Sequence, residues 1–163
     1  MEDYNITFPQ ANQFERIIAI MSLEKSSDLT NDNILTSILD NITHRQVQYY
    51  LSACEYLGLI NEDRTYTELG EKIRSLSYSE KIVQLARVVV ADPIIGTVYF
   101  TERLHQMEMS VEDIAQIISK HYKLSDAVYR RRAQTVVSWL RWLKENFKDT
   151  ETLKTPALKY LYK

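Results

Sequence analysis

The chain reads as a mostly α-helical protein, and three observations carry that reading. Glycine and proline together make up only six of 163 residues, under a third of the usual share of about 12%, too few for a turn-dense sandwich or barrel. Apolar residues form 45% of the chain, enough to bury a core. Over most of the sequence they recur at intervals of three and four, the spacing of one helix face.

The first apolar stripe is Phe14, Ile17, Ile18 and Met21, within Asn12 to Glu24. Ser26 to Thr30 is polar and reads as a loop. Asn31 or Asp32 can cap a short helix whose apolar positions are Ile34, Leu35, Ile38 and Leu39. After the turn Asp40-Asn41-Ile42, Thr43 caps a third helix that runs to Leu57, with Gly58 as its stop signal. The period then changes. Leu59-Ile60 predicts a short strand, Asn61 to Arg64 a tight turn and Thr65-Tyr66 a return strand. Thr67 caps a helix from Glu68 to Leu76. Ser79 to Ala91 is again apolar at helical spacing, and Pro93 breaks or restarts it. Ile94 to Gln106, Val111 to His121 (capped by Ser110) and Asp126 to about Asn146 (capped by Ser125) complete the helices. Lys148 to Lys163 could add a second hairpin or a strand.

The chain resembles itself. At an offset of 86, Arg45-Gln46-Val47-Gln48 falls on Arg131-Arg132-Ala133-Gln134. Inward positions Val47, Tyr50, Leu51, Cys54 and Leu57 fall on Ala133, Val136, Val137, Leu140 and Leu143. At an offset of 80, Ile34-Leu35 and Ile38 fall on Ile114-Ala115 and Ile118. The expected architecture is therefore mostly α, with tandem winged helix-turn-helix-like halves and short β-hairpin wings, divided near residue 77.

Charge is balanced overall, with 20 basic and 22 acidic side chains, but it is unevenly spread. Lys120 to Lys148 holds eight basic and two acidic residues, a local +6 against −8 elsewhere. A cationic face on an acidic body still gathers near phosphate. Arg130-Arg131-Arg132 lies in the first turns of a long helix, where cations oppose the macrodipole; a solvated face is the bland reading, and polyanion binding the one favoured here. On the third helix the outward residues are His44, Arg45, Gln48, Tyr49 and Ser52; on the last they are Arg130, Arg131, Gln134, Thr135 and Ser138. Arginine suits guanine, glutamine suits adenine, and serine or histidine suit several bases. Only the N-terminal part of such a helix enters the groove, which singles out Arg45, Gln48, Arg131 and Gln134. Thr43, Lys120, Lys123, Arg132, Lys144 and Lys148 are expected on phosphates, which position without specifying. Arg64 at the hairpin tip would enter a minor groove or meet phosphate, or is equally an exposed turn residue.

Other classes find little support. The three glycines are isolated, so no phosphate-cradling loop exists, and His44, His105 and His121 have no metal-ligand spacing. No cofactor, metal or catalytic residue is expected. Glu151 to Lys154 has one residue too many between its carboxylate and lysine for a nuclease motif. Cys54, the single cysteine, sits on an inward stripe and reads as core, as do Tyr50, Tyr56, Trp139 and Trp142. The acidic start Met1-Glu2-Asp3 has no apolar run behind it, so neither a signal peptide nor a membrane partner is expected, and a cytoplasmic setting is.

Thr43 to Tyr50, Glu55-Tyr56-Leu57-Gly58-Leu59-Ile60 and Tyr66 to Ile73 resemble the recognition helix, its exit and the wing of winged-helix DNA-binding proteins. The chain as a whole is similar to winged-helix modules at the N-terminus of bacterial restriction endonucleases, some of which act on modified cytosine. That resemblance implies sequence-specific recognition of double-stranded DNA, non-catalytic in itself, with a nuclease domain following in the natural chain. An end at Leu161-Tyr162-Lys163 suits an excised domain. In this reading Tyr49 or Thr135 would contact a 5-methyl group. A free-standing repressor, which would need a dimer interface, and a winged-helix protein-interaction module are the alternatives; monomer and dimer both stay open.

Overall fold

The structure is a computed structural model and describes residues 8–148. Among these residues the secondary structure is helical: α1 (Phe14–Ile20), a 3₁₀ turn (Ser26–Thr30), α2 (Asp32–Ile38), α3 (His44–Tyr56), α4 (Glu68–Arg74), α5 (Tyr78–Ala91), α6 (Pro93–His105), α7 (Val111–Ser119) and α8 (Asp126–Asn146). The chain divides into two compact units, Met1–Ile82 and Val83–Lys163. The division falls inside α5, five residues beyond the expected position.

In the first unit α3 packs on α1 and α2. Its inward stripe is as expected: Val47, Tyr50, Leu51, Cys54 and Leu57 are buried. Burial pushes the Cys54 thiol far up, so it stays protonated and inert. The Tyr50 hydroxyl accepts from the Gln13 backbone N–H at 3.1 Å, tying α3 to the start of α1. The ends of α3 are set by local chemistry. Thr43 and Gln46 form a reciprocal capping box, and Gly58 leaves the helix at φ +76°. Ahead of it, Asp40 and Asn41 both adopt left-handed backbone, which side chains of this type tolerate best. They reverse the chain between α2 and α3.

The predicted strands do not form. Ile60 and Tyr66 make one isolated antiparallel bridge, and no β-strand is present among the described residues. The ladder is short because its far end is consumed by a helix cap. Thr67 donates its backbone N–H to the Leu59 carbonyl at 3.1 Å, while its hydroxyl donates to Gly58 O at 2.7 Å and accepts from Gly70 N at 2.9 Å. One residue pair is left between this cap and the Asn61–Arg64 turn. Gly70 is needed here: a Cβ on it would stand 1.9 Å from the Leu59 carbonyl oxygen. The bridge is anchored inward by the Tyr66 hydroxyl, which donates to Ile20 O at 2.7 Å.

In the second unit α6 packs on α7 and α8, and α7 packs along α8. Asp92 accepts from Ile94 N and Ile95 N, both at 3.0 Å, and Pro93 occupies the first turn of α6. Gln106 ends that helix in left-handed backbone. Trp139 and Trp142 are buried, as expected. The expected hairpin or strand in the tail falls, from residue 149 on, outside the described residues.

At the offset of 86 between α3 and α8, four of the five inward pairs share their buried state, Val47, Tyr50, Cys54 and Leu57 with Ala133, Val136, Leu140 and Leu143, while Leu51 is buried and Val137 is partly exposed. The α2 and α7 pairing shifts by one. The cap Asn31 corresponds to the cap Ser110, and buried Leu35 and Leu39 to buried Ile114 and Ile118, an offset of 79. Ile38, expected inward, is 38% exposed.

Candidate nucleic-acid interface

On α3 the outward set is presented much as its spacing predicts. Thr43, His44, Arg45, Gln48 and Ser52 are exposed and Tyr49 is partly so. Thr43 is occupied by the capping box. Arg45 is not a loose side chain. Its Nε donates to the Tyr49 hydroxyl at 2.8 Å, and its guanidinium carbon lies 5.7 Å from the Tyr49 ring centre.

On α8, Arg130, Arg131, Gln134 and Arg141 are exposed and Ser138 is partly so. Arg141, one further turn along the same face, was not among the expected contact residues; the 3.6-residue period from Arg130 and Gln134 leads to it. Lys120 and Lys123 are exposed in the connection between α7 and α8. Tyr129 holds that connection in place, an interaction sequence reasoning missed: its hydroxyl donates to Tyr122 O at 2.7 Å and accepts from Leu124 N at 2.9 Å. Among the described residues, Lys120, Lys123, Arg131 and Arg141 have no carboxylate partner. Lys148, the last described residue, is exposed as well.

Four expected contacts are corrected. Thr135 is fully buried, so it can neither read a base nor meet a methyl group. The reason is that α8 buries two adjoining lines, Ala133–Val136–Leu140–Leu143 and Thr135–Trp139–Trp142, where α3 at the corresponding position leaves Tyr49 partly exposed. Arg64 does not project from a wing tip: its Nη1 is 2.6 Å from Asp32 Oδ1, fastening the turn to the start of α2. Lys144 points inward, its Nζ 2.9 Å from Oε1 of Glu102, whose side chain is only 5% exposed. Arg132 is half-buried and already engaged.

Arg130 is also paired, 2.5 Å from Glu112 Oε2. A backbone hydrogen bond at Glu112 and the Arg130 guanidinium hold that carboxyl below the usual glutamate range. Both partners are more than half exposed, so the pair is weak in water and can open to a phosphate. The arginine run also sits further inside its helix than Arg45 does. α8 starts at Asp126, so Arg130 is its fifth residue, whereas Arg45 is the second of α3. Unfavourable coupling to the helix dipole fades beyond the first turn, which leaves the run tolerable.

No three His, Cys, Asp or Glu side chains gather as a metal site among the described residues. No single helix among them is long and apolar enough to cross a membrane.

The features define a mostly helical protein that presents polar and cationic helix faces. Residues 16–148 match a family described as a domain of unknown function (DUF7226), and the chain belongs to that family. No curated protein and no solved structure matches it.

Proposed function

We propose that this chain binds double-stranded DNA through two winged-helix-like units and reads sequence with the N-terminal part of α3. The observation that carries the reading is the set of exposed cations Lys120, Lys123, Arg131 and Arg141, none of which has a carboxylate partner among the described residues. An unbalanced set of surface cations concentrates a polyanion and gains from the counterions it releases. The order α2, left-handed turn, α3, bridge, α4 supports a helix-turn-helix with a rudimentary wing. His44, Arg45, Gln48 and Ser52 on α3 supply base-edge donors and acceptors. With Arg64 and Lys144 committed to internal ion pairs, the phosphate contacts of this proposal are Thr43, Lys120, Lys123, Arg131, Arg141 and Lys148.

Within the proposal the chain is the recognition part of a restriction endonuclease, whose cleaving domain would follow it. The test is selection from a random duplex library at near-physiological salt, in unmodified and cytosine-methylated forms. One enriched short motif supports specific readout, and enrichment in the methylated pool alone assigns recognition of modified cytosine. Retention of no motif overturns sequence reading. A second reading, a protein-interaction module, rests on Leu104 and Met107, which are 78% and 56% exposed; it predicts no duplex binding even at low salt.

A further inference from the structure

From the contrast between Arg45 and Arg131 we infer that the two units divide the work: α3 confers sequence preference through an Arg45 guanidinium held by Tyr49, and α8 confers charge-driven affinity without preference. The inference rests on the DNA-binding reading above and deepens it. Tyr49 is then a positioning residue that acts through Arg45, and not a base contact.

The geometry on α3 is specific. The Tyr49 hydroxyl takes the Arg45 Nε at 2.8 Å, and the ring lies under the guanidinium at 5.7 Å. The two Nη groups remain as a paired donor edge, which matches the two acceptors O6 and N7 that guanine shows in the major groove. A fork already held in one orientation loses less freedom on binding than a free one. Arg45 is also the sole Lys or Arg on α3, so this helix contributes little to general attraction for phosphate.

The corresponding position on α8 lacks the brace. At the offset of 86, Tyr49 falls on Thr135, which is buried and whose hydroxyl lies 3.5 Å from its own helix's Arg131 carbonyl. Arg131 therefore has neither ring nor hydroxyl to orient it; it adjoins Arg130 and Arg132 in sequence, and Arg141 lies ten residues further along α8. An exposed arginine without such a brace is suited to any phosphate and selects poorly among bases.

The test uses the full chain and its library-selected duplex beside a scrambled duplex of equal length, each titrated at two salt concentrations. Far-ultraviolet circular dichroism checks each variant's helix content. Arg45→Ala should weaken binding to the selected duplex about 10- to 100-fold, the range expected of a bidentate base contact, and leave the scrambled duplex within about threefold. Arg45→Lys keeps the charge and loses the fork, so it should lose most of the same preference. Tyr49→Phe keeps the ring and removes the hydroxyl; it should cut preference by about two- to tenfold, the worth of one hydrogen bond. Arg131→Ala should weaken both duplexes equally and reduce the salt slope by about one. Full preference in Tyr49→Phe, or lost preference with an unchanged slope in Arg131→Ala, overturns the division of work while DNA reading stands. If the wild-type chain selects no motif, both the division and the reading fall.

Discussion

Replacing Lys144 with methionine separates the two roles this residue could have. In the structure its ammonium lies 2.9 Å from Glu102, with side-chain exposures of 36% for the lysine and 5% for the glutamate. The other Glu102 oxygen accepts from Met109 N at 2.8 Å, so the carboxylate fastens the chain beyond α6 as well as α8. Losing the partner of a buried charge costs about 3–5 kcal/mol when both groups are sealed from water. The lysine end is open to solvent, and water can take over part of its role, so the expected loss is about 1–3 kcal/mol. For a chain of this size that is a fall of roughly 2–12 °C in melting temperature. Thermal and urea unfolding followed by circular dichroism measure it. Adding Glu102→Gln to Lys144→Met removes the stranded charge and keeps an acceptor for Met109, so the double variant should recover part of the loss. Unchanged unfolding, together with a DNA salt slope lowered by about one, would refute the structural role and return Lys144 to the phosphates.

Three further outcomes follow from the same geometry. Gly70→Ala places a methyl group 1.9 Å from the backbone oxygen of Leu59; the cap of α4 must move, and unfolding should show a loss of about 1–3 kcal/mol. Lys81 is buried, donates to the Ser22 hydroxyl at 3.0 Å, and is held below the ordinary lysine value of 10.5 by burial and by Arg74. With a folded value below the unfolded one, the unfolded chain binds more protons in the alkaline interval between them, so stability should rise as pH climbs toward 10.5. Lys81→Met should flatten that rise in urea titrations run across the interval. Glu112→Gln removes the exposed carboxylate that holds Arg130. It should strengthen binding to any duplex about two- to fivefold in fluorescence anisotropy at low salt, and less as salt rises.

Helix order and the caps were readable because they rest on local chemistry. Asn31, Thr43, Thr67, Ser110 and Ser125 each accept a backbone N–H at the first turn of the expected helix. Pro93 and Gly58 mark a start and a stop. The wing was not readable: Leu59-Ile60 and Thr65-Tyr66 have strand-like composition, yet Thr67 serves as a helix cap and stops the ladder after one bridge. The contact residues divide along the same line. Arg45, Gln48, Arg131 and Gln134 are exposed because their helix faces are set by the 3.6-residue period. Arg64 and Lys144 depend on partners 32 and 42 residues away, and Thr135 on α8 burying a wider face than α3 does. No periodicity reveals that Asp32 or Glu102 will claim a cation. The Arg45–Tyr49 contact was within reach, since residues four apart on a helix are neighbours; reading both as independent base contacts hid it.

The most direct test of the account is a salt titration of the full chain against a short duplex, followed by anisotropy. The exposed cations assigned to phosphate, Lys120, Lys123, Arg131, Arg141 and Lys148, have no carboxylate partner among the described residues and predict measurable binding at low salt. The logarithm of affinity should fall against the logarithm of salt with a slope of about −4.5, near 0.9 per phosphate neutralised. Binding that is absent at low salt, or that does not change as salt rises, would contradict the claim that this chain is a DNA-binding protein.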